Sequence, residues 1–296
     1  MTAPEPPVDA RFRILFEDES LAVVEKSGNI PCHPAGRYRE HTLAHLLVSR
    51  AGFPAVHWVN RLDRETSGLV VVAKTPEAAS RLGKSLMANR FRKRYLVAVE
   101  GVWHHPEDFS ATGWIHPARS ALVHKMRVFV PDAATCAAYG LPASSAPLPP
   151  PPGATLGGHV LTGAGQASET LFRPIAVGDR PPAPSPDPPV ALLEAEPRTG
   201  RVHQIRATLR ALGFPVVGDK LYGPDEGIYA RLCDDAVTDA DRARLRMRRQ
   251  ALHASRIAFP HPFEKREIAV ESPLPQDMRA LLWYNSALPN DSSEQP

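Results

Sequence analysis

The sequence is poor in cysteine. Only Cys32, Cys136 and Cys233 occur in 296 residues. An odd count without a C-x-x-C pair argues against a disulfide framework and against a zinc site, and it predicts a reducing cytoplasmic setting. Long apolar runs are missing as well. None approaches the ~18 residues of a membrane span, so no membrane partner is expected. The stretch Met1 to Pro7 is proline-rich and acidic, without the basic start and apolar run of a secretory signal. Metal-ligand spacing is also absent. Of twelve histidines, only His41 and His45 stand one helical turn apart, with no glutamate between them and no third ligand. His57, His104, His105, His116 and His124 are scattered beside loops, so no metal is expected. No internal repeat is present.

Hydrophobic residues make up 43% and charged residues 23%, which describes an ordinary globular chain with enough residues for one large core or two small ones. The net charge is +3. Its placement says more than its size. Between Ala78 and Val99 stand Arg81, Lys84, Arg90, Arg92, Lys93 and Arg94 with no acid among them, and Arg242 to Arg249 holds five arginines. Such runs can be solvated helix faces, but they are also the electrostatic footprint of a nucleic-acid binder.

Several elements can be placed by pattern. Phe12–Phe16 and Leu21–Lys26 read as a strand pair. Thr42 caps a helix through Val48, and Leu69–Lys74 is a short continuous apolar run, as in a buried strand. Thr75 and Pro76 open a helix over about Glu77–Asn89, and Arg94–Glu100 alternates into a strand. Strands are predicted at 169–177 and 190–196, helices at 203–212 and 239–249, a last strand at 257–259 and a last helix at 278–284. Many strands without regular β-α-β alternation predict an α+β domain around a mixed, mostly antiparallel sheet with flanking helices. The expected layout is a flexible N-terminus over 1–9, one catalytic domain over 10–286, and a disordered tail over 287–296. Proline-rich insertions are expected at about 133–158 and 181–189, exposed and partly polyproline-like.

Two segments concentrate chemistry. Asn60-Arg61-Leu62-Asp63-Arg64-Glu65-Thr66-Ser67-Gly68 is a charged loop running into an apolar strand. Arg61 and Arg64 flank Asp63, favouring an ionised carboxylate, which can act as a nucleophile or stabilise a sugar cation. Alone, the same pattern also describes a turn-capping Asp paired with an Arg. In Arg198-Thr199-Gly200-Arg201-Val202-His203-Gln204-Ile205-Arg206, Gly200 permits a tight turn, and Arg201, His203 and Arg206 place donors near a helix start.

Together these segments resemble the RluA-type family of pseudouridine synthases, with its H-R-L-D-x-x-T-S-G-type aspartate loop and T-G-R-x-H-Q-I-R element. Four further stretches resemble the family in order. They are Ile14–Glu19 with Val23–Lys26, Phe91–Gly101 with Tyr95, Gly213–Asp219 with Tyr222-Gly223, and Leu252-His253-Ala254 with Phe259–Pro262. Asn60 stands where the family often has His, and Lys26-Ser27 where it often has Lys-Pro. The resemblance implies a stand-alone member without the front S4 domain.

The resemblance further implies that Asp63 attacks a flipped-out uridine in structured rRNA or tRNA, at C1′ or by way of a glycal. Arg201 is expected to pair with Asp63, and Tyr95 to stack on the uracil and help remove the C5 proton. Ile205 is expected to close the apolar side of the pocket. Arg61, Arg64, Arg92, Lys93, His203 and Arg206 are the expected RNA contacts. Isomerisation involves neither redox change nor net hydrolysis, so no cofactor is expected. A monomer is expected, since no heptad or long apolar stripe shows. Three other readings are open to the residues: a catalytically silent RNA-binding protein or chaperone, an N-glycosidase releasing free base, and a carbohydrate enzyme without RNA. The intact Asp63, Tyr95 and Arg201 set opposes the first, and the basic run opposes the last.

Overall fold

The structure is a computed structural model describing residues 4–105, 107–123, 126–142, 148–178 and 188–282. Along the chain the elements are β1 (Phe12–Glu17), β2 (Leu21–Lys26), α1 (Leu43–Ser49), β3 (His57–Trp58), β4 (Ser67–Ala73), α2 (Pro76–Met87) and β5 (Arg92–Glu100). Then follow β6 (Phe109–Arg119), β7 (Met126–Pro131), α3 (Ala133–Tyr139), β8 (Thr155–Leu156), β9 (His159–Leu161), β10 (Gln166–Ala176) and β11 (Val190–Pro197). The last are α4 (Gln204–Ala211), α5 (Gly227–Cys233), α6 (Asp239–Leu245), β12 (Leu252–Pro260), β13 (Glu267–Glu271) and α7 (Gln276–Arg279), with a 3₁₀ turn over Ala280–Leu282. They fall into two compact units, one of Met1–Leu96 with Arg248–Leu274, the other of Val97–Met247 with Pro275–Pro296.

In the first unit the strand order is β1-β2-β4-β12, with β3 on β4 and β13 on β12. The β4–β12 pair is parallel and the others are antiparallel. β4 is buried on both faces, which explains its unbroken apolar run. Leu69, Val71 and Ala73 pack with Ala78 and Leu82 of α2 and with Phe91, Ile257 and Phe259. Val70 and Val72 pack the other way, with Leu43, Leu46 and Leu47 of α1 and with Ile30. The caps are as predicted: the Thr42 hydroxyl accepts from the His45 amide, and Thr75 accepts from Ala78 with Pro76 in the first turn.

Gly68 is where β4 and β12 meet most closely. It sits at φ +105°, and a Cβ there would lie 2.3 Å from the Ala254 carbonyl oxygen and 2.6 Å from its amide nitrogen. Backbone on both sides cannot yield. Gly68→Ala is expected to cost at least about 3 kcal/mol, combining left-handed strain with overpacking, read as a fall in the denaturant midpoint at unchanged slope. A midpoint within error of the parent would show that the strands can part there.

In the second unit β11-β10-β6 are antiparallel neighbours, β7 and β9 pair with β6, and β8 pairs with β9. Trp103 packs on Phe172 and Phe214, with Tyr139 edge-on to Trp103. Tyr139 ends α3, so the segment expected as an exposed insertion at 133–158 begins as a packed helix. Asp132 caps its start and Gly140, at φ 60°, ends it. Residues 143–147 of that segment, 181–187 of the second insertion, 283–284 of the last predicted helix and the tail over 287–296 lie outside the described residues.

The helix predicted over 239–249 stops at Leu245, where Arg246 turns left-handed at φ 60°. Arg242, Arg244 and Arg246 pair with Asp239, Asp225 and Glu100, so this arginine run largely serves its own unit. β6, β7, α5 and β13 carry no pattern recognised in the sequence. The central sheet is mixed and mostly antiparallel, with helices against it, as expected.

Candidate active site

In the first unit the loop between β3 and β4 is anchored along its length. Asn60 Oδ1 accepts from the Val71 amide at 2.8 Å, a contact that suits an amide at the loop's entry. Cys32 Sγ approaches the Leu62 carbonyl at 3.6 Å. The Arg64 carbonyl accepts from the Ile30 amide at 3.1 Å and from Lys26 Nζ at 3.1 Å. The Thr66 amide donates to the Asp63 carbonyl at 3.2 Å, closing a turn. Asp63 is thus held, half-buried, in a loop whose backbone has little freedom.

Lys26 lies only 1% exposed beneath this loop. Burial lowers its pKa to about 8, against the attraction of Cys32 and of Asp63. It therefore carries positive charge at neutral pH behind Asp63, where it favours the ionised carboxylate. Tyr95, on β5, packs against the core shared by β4 and α2. Burial, and next the charge of Asp63, raise its phenol above the usual value. Tyr95 is therefore a neutral phenol at pH 7, fit to stack and to donate rather than to act as phenolate.

Three of the four expected RNA contacts of this unit have intramolecular partners. Arg61 is exposed, with Nη1 3.1 Å from His33 Nε2. Arg64 donates to Tyr38 Oη at 2.5 Å and to Glu65 at 2.8 Å. Arg92 pairs with Glu267 at 2.7 Å. Lys93 is half-buried, and burial lowers its pKa.

In the second unit the Thr199–Arg206 segment is built around Gln204, only 4% exposed. Its Oε1 accepts from Thr199 Oγ1 at 2.8 Å and from the Arg201 amide at 3.0 Å. Its Nε2 donates to the Glu169 carbonyl and to Thr170 Oγ1. Arg201 Nε donates to the Ala167 carbonyl at 3.0 Å. His203 holds a left-handed φ of 59° before α4, with Nδ1 2.8 Å from Tyr222 Oη. That oxygen also accepts from the Arg127 amide at 2.9 Å. Ile205 is buried within α4.

Arg206 is buried too and makes a bidentate pair with Asp219, at 2.6 and 2.9 Å. Burial opposes ionisation of Asp219, but Arg206 and the amides of Tyr222 and Leu221 outweigh it and hold its pKa below the usual carboxylate range. The sequence motifs contained Lys26, Gln204, Asp219 and Tyr222 without indicating any of these roles. Only the rarity of a buried lysine beside the aspartate loop could have marked Lys26, and burial is not legible in a linear sequence. Among the described residues no group of three His, Cys, Asp or Glu could hold a metal ion.

Comparison with known proteins identifies the family. The family model described as RNA pseudouridylate synthase matches residues 20–211. The ribosomal large subunit pseudouridine synthase D of Nitrosomonas europaea is 31% identical over 289 residues, covering 96% of this chain and 68% of its own. The mitochondrial tRNA pseudouridine(32) synthase of Saccharomyces cerevisiae is 32% identical over 224 residues; the match spans 75% of this chain but only 39% of the yeast protein. The solved structure of human RNA pseudouridylate synthase domain containing 1 shares the fold, with a TM-score of 0.60 at 22% identity over 94% of this chain and 90% of that one. The family model's match over residues 20–211, about two thirds of the chain, places this protein in the RNA pseudouridylate synthase family.

Proposed function

We propose that this protein isomerises uridine to pseudouridine in structured rRNA or tRNA, with Asp63 as the nucleophile. The observation that carries the reading is the setting of Asp63. A rigid loop holds it, buried Lys26 lies behind it, and its charge helps keep the phenol of Tyr95 neutral. In the reaction the C1′–N1 bond breaks, the uracil turns, and a C1′–C5 bond forms. The proton lost from C5 balances the one gained at N1, so nothing is consumed and no cofactor is called for. An ionised Asp63 serves either route, by bonding to C1′ or by taking a sugar proton toward a glycal. Tyr95 offers its ring to the flipped base. Arg201 completes the catalytic set. Arg61, Arg64, Arg92, Lys93, His203, Arg206 and Ile205 are the proposed RNA and base contacts, Arg206 from its pair with Asp219.

We place the work in the cytoplasm, by a monomer acting as one catalytic domain. The three free cysteines suit that setting. Among the described residues no helix is long and apolar enough to cross a membrane.

The test is pseudouridine mapping of total RNA from cells with and without the gene, followed by purified protein on unmodified transcripts. Loss of a defined site, restored in vitro, is expected; free uracil in place of pseudouridine would mean a glycosidase. Arg201→Lys is expected to lower turnover by about 100-fold or more, because an ammonium cannot replace the planar guanidinium fork. A near-normal rate would remove Arg201 from the catalytic set.

A further inference from the structure

Behind the exit of the aspartate loop runs a buried chain of polar side chains that the reaction itself does not use. Ser67, the first residue of β4, has Oγ 2.9 Å from His253 Nδ1. His253, only 1% exposed on β12, has Nε2 2.9 Å from Ser272 Oγ. Ser272 in turn donates to Glu25 of β2, and Glu25 pairs with Arg13 of β1 at 2.6 Å. Burial raises the pKa of Glu25, but Arg13 and Ser272 outweigh it, so the carboxylate is ionised. That charge orients the far end of the chain: Ser272 gives its proton to Glu25 and accepts from His253 Nε2–H, while His253 Nδ1 faces Ser67 Oγ. Beside it, Gln250 Nε2 donates to Thr66 Oγ1, and Thr66 closes the turn onto Asp63. The loop leaving Asp63 is therefore tied at successive residues to the segment that begins β12.

We propose that His253 is a positioning residue for Asp63, coupling the loop exit at Ser67 to the fixed charge of Glu25 through its two ring nitrogens. The proposal rests on the reading of Asp63 as nucleophile. A polar imidazole buried between two hydroxyls is costly unless both are satisfied, and both are. A loop displaced by a fraction of an ångström would leave Asp63 misaligned for attack while leaving RNA contacts in place.

Two amides divide the function of the ring. His253→Asn keeps a polar group near Nδ1, facing Ser67; His253→Gln keeps one near Nε2, facing Ser272. Both remove one buried bond, so a merely structural role would affect them alike. The expected result is that His253→Gln lowers kcat about 10-fold with KM for RNA unchanged, while His253→Asn stays within about 3-fold of the parent. Amide hydrogen exchange over residues 62–67 should rise about 10-fold in His253→Gln and less in His253→Asn. Ser67→Ala should behave as His253→Gln and add little to it. Equal loss of kcat in both amides, or unchanged exchange over the loop in His253→Gln, would overturn the proposal. If the parent protein forms no pseudouridine on any transcript, the reading of Asp63 falls by itself. The exchange comparison still decides whether His253 anchors the loop.

Discussion

Asp63→Asn is expected to abolish pseudouridine formation, by at least about four orders of magnitude in kcat, while RNA affinity changes by no more than a few-fold. The amide is isosteric with the carboxylate, and the contacts that anchor the loop are made by other residues' side chains and by backbone atoms that the substitution leaves in place. The Thr66 amide still finds the Asp63-position carbonyl, and Lys26 still finds the Arg64 carbonyl. What is lost is the charge and the ability to bond or take a proton. RNA affinity is ordinarily spread over many phosphate contacts, so the loss of one carboxylate charge is expected to change it little. One side effect has a definite sign. The pKa of Lys26 is about 8 in the parent, with Asp63 among the groups that raise it, so removing that charge should move it lower still. Single-turnover kinetics on a transcript, with affinity measured at one fixed salt concentration, give both numbers. Turnover retained within 10-fold would refute the nucleophile; affinity lost in parallel with turnover would show that Asp63 holds RNA instead.

The second large effect is on stability. Asp219 is fully buried and accepts from Arg206 twice, and from the amides of Leu221 and Tyr222, both at 2.9 Å. Asp219→Ala removes the counter-charge of a buried guanidinium and two further acceptor contacts together. The expected loss is about 3–5 kcal/mol, a large share of the 5–15 kcal/mol that holds a typical domain. Arg206→Met with Asp219→Leu should recover much of it, since an apolar pair leaves no charge stranded. The pH dependence has a clear sign. The Asp219 pKa is lowered on folding, so its stabilisation is present above the unfolded value of 3.8 and is lost as pH falls through the folded one. The variant should therefore lose less stability on acidification than the parent. Urea midpoints at neutral and acid pH measure both effects; a variant within 1 kcal/mol of the parent would mean that Arg206 finds another acceptor, or water, at modest cost.

Local chemistry decided which elements were legible in advance. Thr42 and Thr75 announce helices because a hydroxyl at the N-cap satisfies a helix's own orphan amide, a contact within three residues. β4 announces itself because both its faces are buried, so apolar residues run without interruption. β6 and β7 stayed hidden because their faces alternate irregularly and Pro117 interrupts β6. The helix at α3 was hidden by the prolines that follow it. The arginine run at 242–249 shows a limit of counting charges: three of its members are neutralised by acids that lie 3, 19 and 146 residues away in sequence.

The sequence by itself determined the family resemblance, the aspartate loop and the kind of sheet, because motif spacing and hydrophobic period are written along one chain. Tertiary structure decided what surrounds those motifs. It buried Lys26 under Asp63, turned Arg206 inward to Asp219, locked His203 onto Tyr222, and threaded His253 between Ser67 and Ser272. Each of these depends on residues distant in sequence meeting where water is excluded. There a charge or a hydrogen bond gains its strength and its direction, and local pattern carries no information about that exclusion.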